Sequence, residues 1–122
     1  MNIEKFKSAY NESRNGTEQL HYGFLKFFTY SDGVKECADA GCHWLIDILA
    51  TEGAQKIRKS GQTLVTVNVE VKKDKAMIRL LGSGDVQFWK RSIEYTDLPE
   101  GTWSFLIADE GNRMVMILLS EY

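Results

Sequence analysis

The spacing of apolar residues changes period near residue 61, from helical recurrence to strict alternation. Ile3, Phe6, Ala9 and Tyr10 mark one face of a helix over 3–13, with Asn2 as N-cap and Asn15-Gly16 as stop. Thr17–His21 reads as a short turn of helix, and Leu25–Tyr30 as irregular chain or a short strand. Ser31 or Asp32 can cap a helix over Val34–Ala40, because a short side-chain oxygen accepts from the free amides of a first turn. Gly41 suits the residue after that helix. A second helix is predicted from about Cys42 to Lys59. Trp44, Leu45, Ile48 and Leu49 form its inner face, and Gly53 is its weak point.

Beyond Gly61, "TLVTVNVEV" sets Val65, Val67, Val69 and Val71 on one face and Thr66, Asn68 and Glu70 on the other. "AMIRLLG", "VQFWKRSIEY", "TWSFLIA" and "RMVMILLSEY" supply four further strands. "KKDK", "GSGD", "TDLPEG" and "DEGN" supply the turns. Short connections argue an antiparallel meander, whose apolar face needs a cover. The prediction is an α+β fold, with N-terminal helices packed on one face of a five-stranded antiparallel meander. It is read as a single domain over 1–122, with its helical half about 1–60 and its β half about 62–122. Both alternating sets of "MVMILL" are apolar, which places that strand centrally and predicts an ordered C-terminus with Tyr122 docked.

Composition narrows the compartment more than the activity. A chain of 122 residues with 43% hydrophobic and 26% charged residues has the content of a soluble globular protein. The polar opening "MNIEKFKSAYNESRNG" has no apolar leader, and "MVMILL" is too short to span a bilayer. A cytoplasmic location away from membranes is expected, with reduced thiols. The net charge of −2 conceals a split. Residues 56–91 carry nine basic side chains against Glu70, Asp74 and Asp85, and the remainder is correspondingly acidic.

Candidate chemistry is sparse. Cys37, Cys42, His43 and His21 have the atoms of a zinc site but not its spacing, so no metal and no cofactor are expected. An acid–base or nucleophilic set would draw on Glu18, His21, Cys37 and Asp47. The competing reading makes Glu18 and His21 hydrogen-bonding partners that fix an aromatic-rich segment, and Cys37 a small buried hydrophobe. Asp32 and Asp97 read as turn residues. "GSGD" opens no helix and is a turn, not a phosphate loop. Lys72, Lys73, Arg79, Lys90 and Arg91 are the candidate partner-binding residues, on a basic surface that either solubilises the chain or meets an acidic partner.

The segments "GTEQLHY", "YSDGVKECADAGCHWLID", "IEYTDLP" and "LLSEY" resemble those of a family of small, uncharacterised bacterial proteins, found also on mobile elements. The resemblance covers roughly 16–51 and 93–122. It implies a one-domain cytoplasmic protein of a family without assigned function, and it supplies no activity. The expected role is that of a non-enzymatic interaction or accessory protein of a bacterium, phage or mobile element. One concrete version is an inhibitor of a host nuclease or other nucleic-acid-handling complex. A protein partner is favoured, with an acidic partner or nucleic acid reachable through 56–91. The alternative is a small enzyme built on His21 and Glu18 with Cys37 or Asp47.

Overall fold

A computed structural model describes residues 1–12 and 19–122. The expected stop at Asn15-Gly16, Thr17 and Glu18 lie outside the described residues. Helix α1 spans Ile3–Glu12, and Asn2 caps it by accepting from Lys5 N–H at 3.0 Å. Two short strands follow, β1 at His21–Tyr22 and β2 at Phe28–Tyr30. His21 therefore lies in a strand and not in the helical turn its neighbours suggested.

Three helical segments come next: α2 at Asp32–Cys37, α3 at His43–Ile48 and α4 at Ala54–Ser60. Ser31 is the N-cap of α2, its Oγ accepting from Val34 N–H at 3.2 Å. Gly41 breaks the helical backbone in the wide turn at Ala38–Cys42, whereas the wide turn at Leu49–Gly53 keeps helical angles, so the predicted second helix runs through from α3 to α4 with one bulge. Leu45, Leu49 and Ile57 are fully buried, whereas Trp44 and Ile48 only border the core.

The remaining strands are β3 at Leu64–Lys72, β4 at Lys75–Leu81, β5 at Gln87–Ile93, β6 at Gly101–Asp109 and β7 at Met114–Leu118. Among the described residues the sheet has seven strands, in the order β1-β2-β7-β6-β3-β4-β5. It is mixed: β2 runs parallel to β7, and the other neighbours are antiparallel. This corrects the five-stranded antiparallel meander in two ways. The segment "FFTY" contributes a real strand. The chain also leaves β5 and crosses back, so that β6 pairs with β3 and not with β5.

The physical reason lies in burial. Trp103, Phe105, Leu106 and Ile107 are all buried, so β6 demands covered faces and two strand neighbours. Strand β5 carries Lys90 and Arg91 and tolerates the edge. The crossing segment 94–100 is tied across the end of the β3–β4 hairpin. Thr96 N–H donates to Asp74 O at 2.7 Å, and Lys73 N–H donates to Glu100 Oε1 at 2.6 Å.

The covered face of the sheet carries Val65, Val67, Val69, Ile78, Leu80, Phe105, Ile107, Met114, Met116 and Leu118, each buried to 1% exposure or less. Helices α2–α4 supply the opposing layer, and α1 closes one end. Phe6 meets Trp103 edge-on at 5.1 Å between ring centroids, and Tyr10 meets Trp103 at 5.0 Å. The Tyr10 hydroxyl accepts from Ser104 N–H at 2.9 Å, satisfying a sheet amide that β7 does not reach. Strand β7 is interior, as its two apolar faces predicted. Tyr122 does not dock; it is 79% exposed, and Glu121 makes the terminal contact instead.

The break after α2 rests on Gly41, whose φ of +134° side chains rarely adopt. The same glycine lets the N-terminal residue approach, because a Cβ built there would stand 2.9 Å from Met1 Cα. Gly41→Ala should therefore destabilise by about 1–3 kcal/mol through backbone strain, with the displaced N-terminus adding to it. Urea denaturation checks this, and a midpoint equal to that of the wild type would show that the kink is not strained.

Candidate functional site

The segments "LHY", "YSDG" and "SEY" meet where α2 begins. Ser31, 0% exposed, donates from Oγ to Glu121 Oε1 at 2.5 Å. Leu118 N–H donates to the same oxygen at 2.9 Å, and Gly33 N–H donates to Oε2 at 3.3 Å. A carboxylate from the last residues thus sits on the first turn of α2, where free amides need acceptors. Beside it, His21 Nε2 lies 2.6 Å from Asp32 Oδ1. Further along the helices, Asp39 accepts from Lys35 Nζ at 2.6 Å and from His43 Nε2 at 3.0 Å. Hydrogen bonding to Lys35, above all, holds the Asp39 carboxyl below its usual range. Burial raises the Tyr30 phenol, and the charge of Asp39 adds to that.

The proposed acid–base set is only partly assembled at this junction. His21 has an acid partner, but it is Asp32. Glu18 lies outside the described residues. Cys37 is 1% exposed inside the core, and Asp47 is exposed on α3. Burial pushes the Cys37 thiol far up, and pushes the Cys42 thiol up to about 12 with a smaller contribution from Asp97. Cys42 Sγ contacts the Cys37 carbonyl at 3.2 Å. Neither thiol is a ready thiolate nucleophile at neutral pH. Among the described residues, no group of three or more His, Cys, Asp or Glu side chains is placed to hold a metal ion.

The second candidate surface is the open face of the sheet. Lys72, Arg79 and Lys90 lie on it, because they alternate with the buried Val71, Ile78, Leu80 and the half-buried Trp89. Lys73 occupies the hairpin tip with φ of +60°. Arg91 is on the other face, ion-paired with Glu52 of the turn between α3 and α4. Adjacent strand residues point to opposite faces, so Lys90 and Arg91 could not share one. The helix-end cluster of Lys56, Arg58 and Lys59 lies at the other end of β3 from the hairpin tip, about 25–30 Å away for a nine-residue strand. There Arg58 turns to Asp109 and to the ring of Phe27.

The residue that sequence reading underweighted is Lys75. It faces Lys72 directly across the two-residue turn, and Arg79 faces Lys90 directly across the next pair of strands. Arg79 Nη1 donates to Gln87 Oε1 at 3.1 Å, and Nη2 lies 3.9 Å from Glu70 Oε2. Its Nε is buried without an acceptor among the described residues. A hollow of about 360 Å³ lies beside these pairs, bordered by Glu70, Lys72, Lys75, Met77, Ser92 and Glu94.

Two stability predictions come from these contacts. Glu121→Gln should cost about 1.5–3 kcal/mol, because it weakens hydrogen bonds made to a charged acceptor. Ser31→Ala combined with it should cost less than the sum of the two, since both remove one interaction; additive urea-denaturation values would sever the pair. The thiols give a pH dependence. Their folded pKa values stand above the ordinary 9.0, so the folded state keeps protons that the unfolded chain loses. Their contribution is complete below about pH 9 and is lost as pH rises beyond it, by about 1.4 kcal/mol per pH unit for each thiol. Denaturation series between neutral and alkaline pH should show this slope, and the Cys37→Ala/Cys42→Ala variant should flatten it.

No match to a curated protein is found. A crystal structure of a protein of unknown function from Enterococcus faecalis is similar at 15% identity and a TM-score of 0.48, covering 82% of this chain and 98% of that one. The model of DUF6876, a family of unknown function, matches residues 5–122, and the chain belongs to that family.

Proposed function

We propose that the chain is a partner-binding protein whose open sheet face, on β3, β4 and β5, receives an acidic segment of another protein. The observation that carries this reading is the pair of like-charge cross-strand contacts, Lys72 opposite Lys75 and Arg79 opposite Lys90. Like charges directly opposite each other destabilise a sheet. An acidic ligand would relieve both contacts.

A protein segment suits the face better than a nucleic acid. Glu70 and Glu94 border the same hollow and would repel any unbroken run of negative charge, whereas a segment with spaced carboxylates can set its apolar side chains there, against Met77. An accessory or inhibitory role fits a protein of this kind, since covering an acidic patch on a host protein needs no catalytic group. Arg79 serves as the bidentate fork and the lysines as point charges.

Binding and stability should move in opposite directions. Lys75→Glu turns the Lys72 contact into an attractive one and should stabilise the free protein by about 0.2–1 kcal/mol. Added to Arg79→Glu, it should abolish binding of a peptide that alternates glutamate with leucine, followed by fluorescence anisotropy. Wild-type protein that ignores the peptide at low salt would refute the reading. Preferential, steeply salt-dependent binding of single- or double-stranded nucleic acid would replace it with a nucleic-acid surface.

A further inference from the structure

Strand β5 ends the sheet among the described residues, and the direction of its backbone groups follows from a bond at the far side of β3. Asp109 N–H donates to Thr63 O at 2.9 Å, which continues the Leu64–Ala108 register by one residue. Thr63–Asp109 is therefore a hydrogen-bonded pair. Antiparallel alternation makes Val65–Ile107, Val67–Phe105 and Val69–Trp103 bonded pairs as well. The Ser104 amide agrees: it turns away from β3 and donates to Tyr10. Even-numbered residues of β3 thus turn to β4. Ala76, Ile78 and Leu80 then turn to β5, where their partners are Ile93, Arg91 and Trp89. The backbone N–H and C=O groups of Lys90 and Ser92 are left pointing outward, beyond the last strand.

We propose that this edge pairs with the same edge of a second copy of the chain, antiparallel about a two-fold axis at Ser92. Outward groups must face outward groups, and charge selects among the registers that this permits. Centred on Lys90, the pairing sets lysine against lysine. Centred on Arg91, it sets arginine against arginine. Centred on Ser92, it sets Arg91 beside Ile93 and brings Lys90 of each copy to the end of the other's β5, where Glu94 follows the strand by one residue. Opposite charges across a ladder stabilise it and like charges oppose it. Lys90 guards the edge against indiscriminate pairing, and the same side chain leaves one register attractive. The irregularity between Leu80 and Leu81 confines regular pairing to the part of β5 from Trp89 onward. Such a two-fold axis stands normal to the sheet. It keeps both helix layers on one side and joins the two open faces into one surface.

Sedimentation equilibrium of the full chain over a wide concentration range should show a monomer–dimer equilibrium. Opposed Ser92 residues in a bonded pair have Cα atoms about 5.5 Å apart, within disulfide range. Ser92→Cys treated with oxidised glutathione should therefore run as a covalent dimer without reductant. Met77→Cys, on the open face but away from the edge, should stay monomeric, and the native thiols are buried. Lys90→Glu should weaken association about tenfold or more, by replacing both attractive contacts with repulsive ones. Adding Glu94→Lys should restore it. A monomer at every concentration, cross-linking of Ser92→Cys no faster than that of Met77→Cys, or a charge swap that fails to restore association would each overturn the proposal. None of these readouts uses the acidic peptide, so dimerisation and ligand binding stand or fall separately.

Discussion

The structure depends on β3 being hydrogen-bonded on both sides. Val65, Val67, Val69 and Val71 all turn to the helix layer, and their alternation fixes which side chains of β4 and β6 lie beside them. A slip of one residue would send the whole valine set to the open face and bring Thr66, Asn68 and Glu70 into the core. That penalty holds the register. It also fixes the phase of every strand beyond β3, and so determines that Arg79 and Lys90 face solvent while Arg91 faces Glu52. Surface chemistry in this protein is therefore set by a buried row that has no charge of its own.

A second constraint joins the segment around Ser31 to the residues that follow β7. Strand β2 leads directly into α2, and β7 runs parallel to β2 before the chain stops. The parallel pairing brings the last residues to the start of α2. Glu121 then completes the cap that Ser31 begins. A single side chain at that helix start could accept from the nearest amide only. The added carboxylate takes the Gly33 amide and the Ser31 hydroxyl together. The segments "LHY", "YSDG" and "SEY" converge on this junction, which has the geometry of a clasp. His21 and Asp32 sit beside it as a hydrogen-bonded pair, with the thiols held apart in the core.

Much of this was legible in the sequence, and the limits have physical causes. Helix α1, its Asn2 cap, the break at Gly41 and the alternating strands follow from local chemistry, which a single chain displays. The central place of β7 was legible from two apolar faces. The partner of β6 was not, because a segment such as "EYTDLPE" can close a hairpin or cross a sheet, and only the burial required by Trp103 to Ile107 decides between them. The ends were misread for the same reason. Tyr122 looks like the anchor because it is large and aromatic, but the unsatisfied amides of α2 recruit the carboxylate next to it. The basic residues could have been sorted further. Parity alone separates Lys90 from Arg91, and the two-residue turn sets Lys75 opposite Lys72.

Lys90 connects the open face to the proposed edge contact, and both would draw on its side chain. Its side chain stands normal to the sheet, next to Arg79, whereas its backbone groups lie in the plane of the sheet and point away from Ile78 and Leu80. A ligand on the face and a strand at the edge approach along perpendicular directions. Glu94 is involved in both as well, since it borders the hollow next to Lys75 and follows β5 by one residue. Drawing Glu94 across to the second copy's Lys90 would take a carboxylate from the rim of the hollow and leave Lys72 and Lys75 less compensated. Edge pairing would thereby neutralise Lys90 and shift the positive character of the face toward Lys72 and Lys75. On these two proposals the surfaces would be coupled through Lys90 and Glu94, with no change of backbone required.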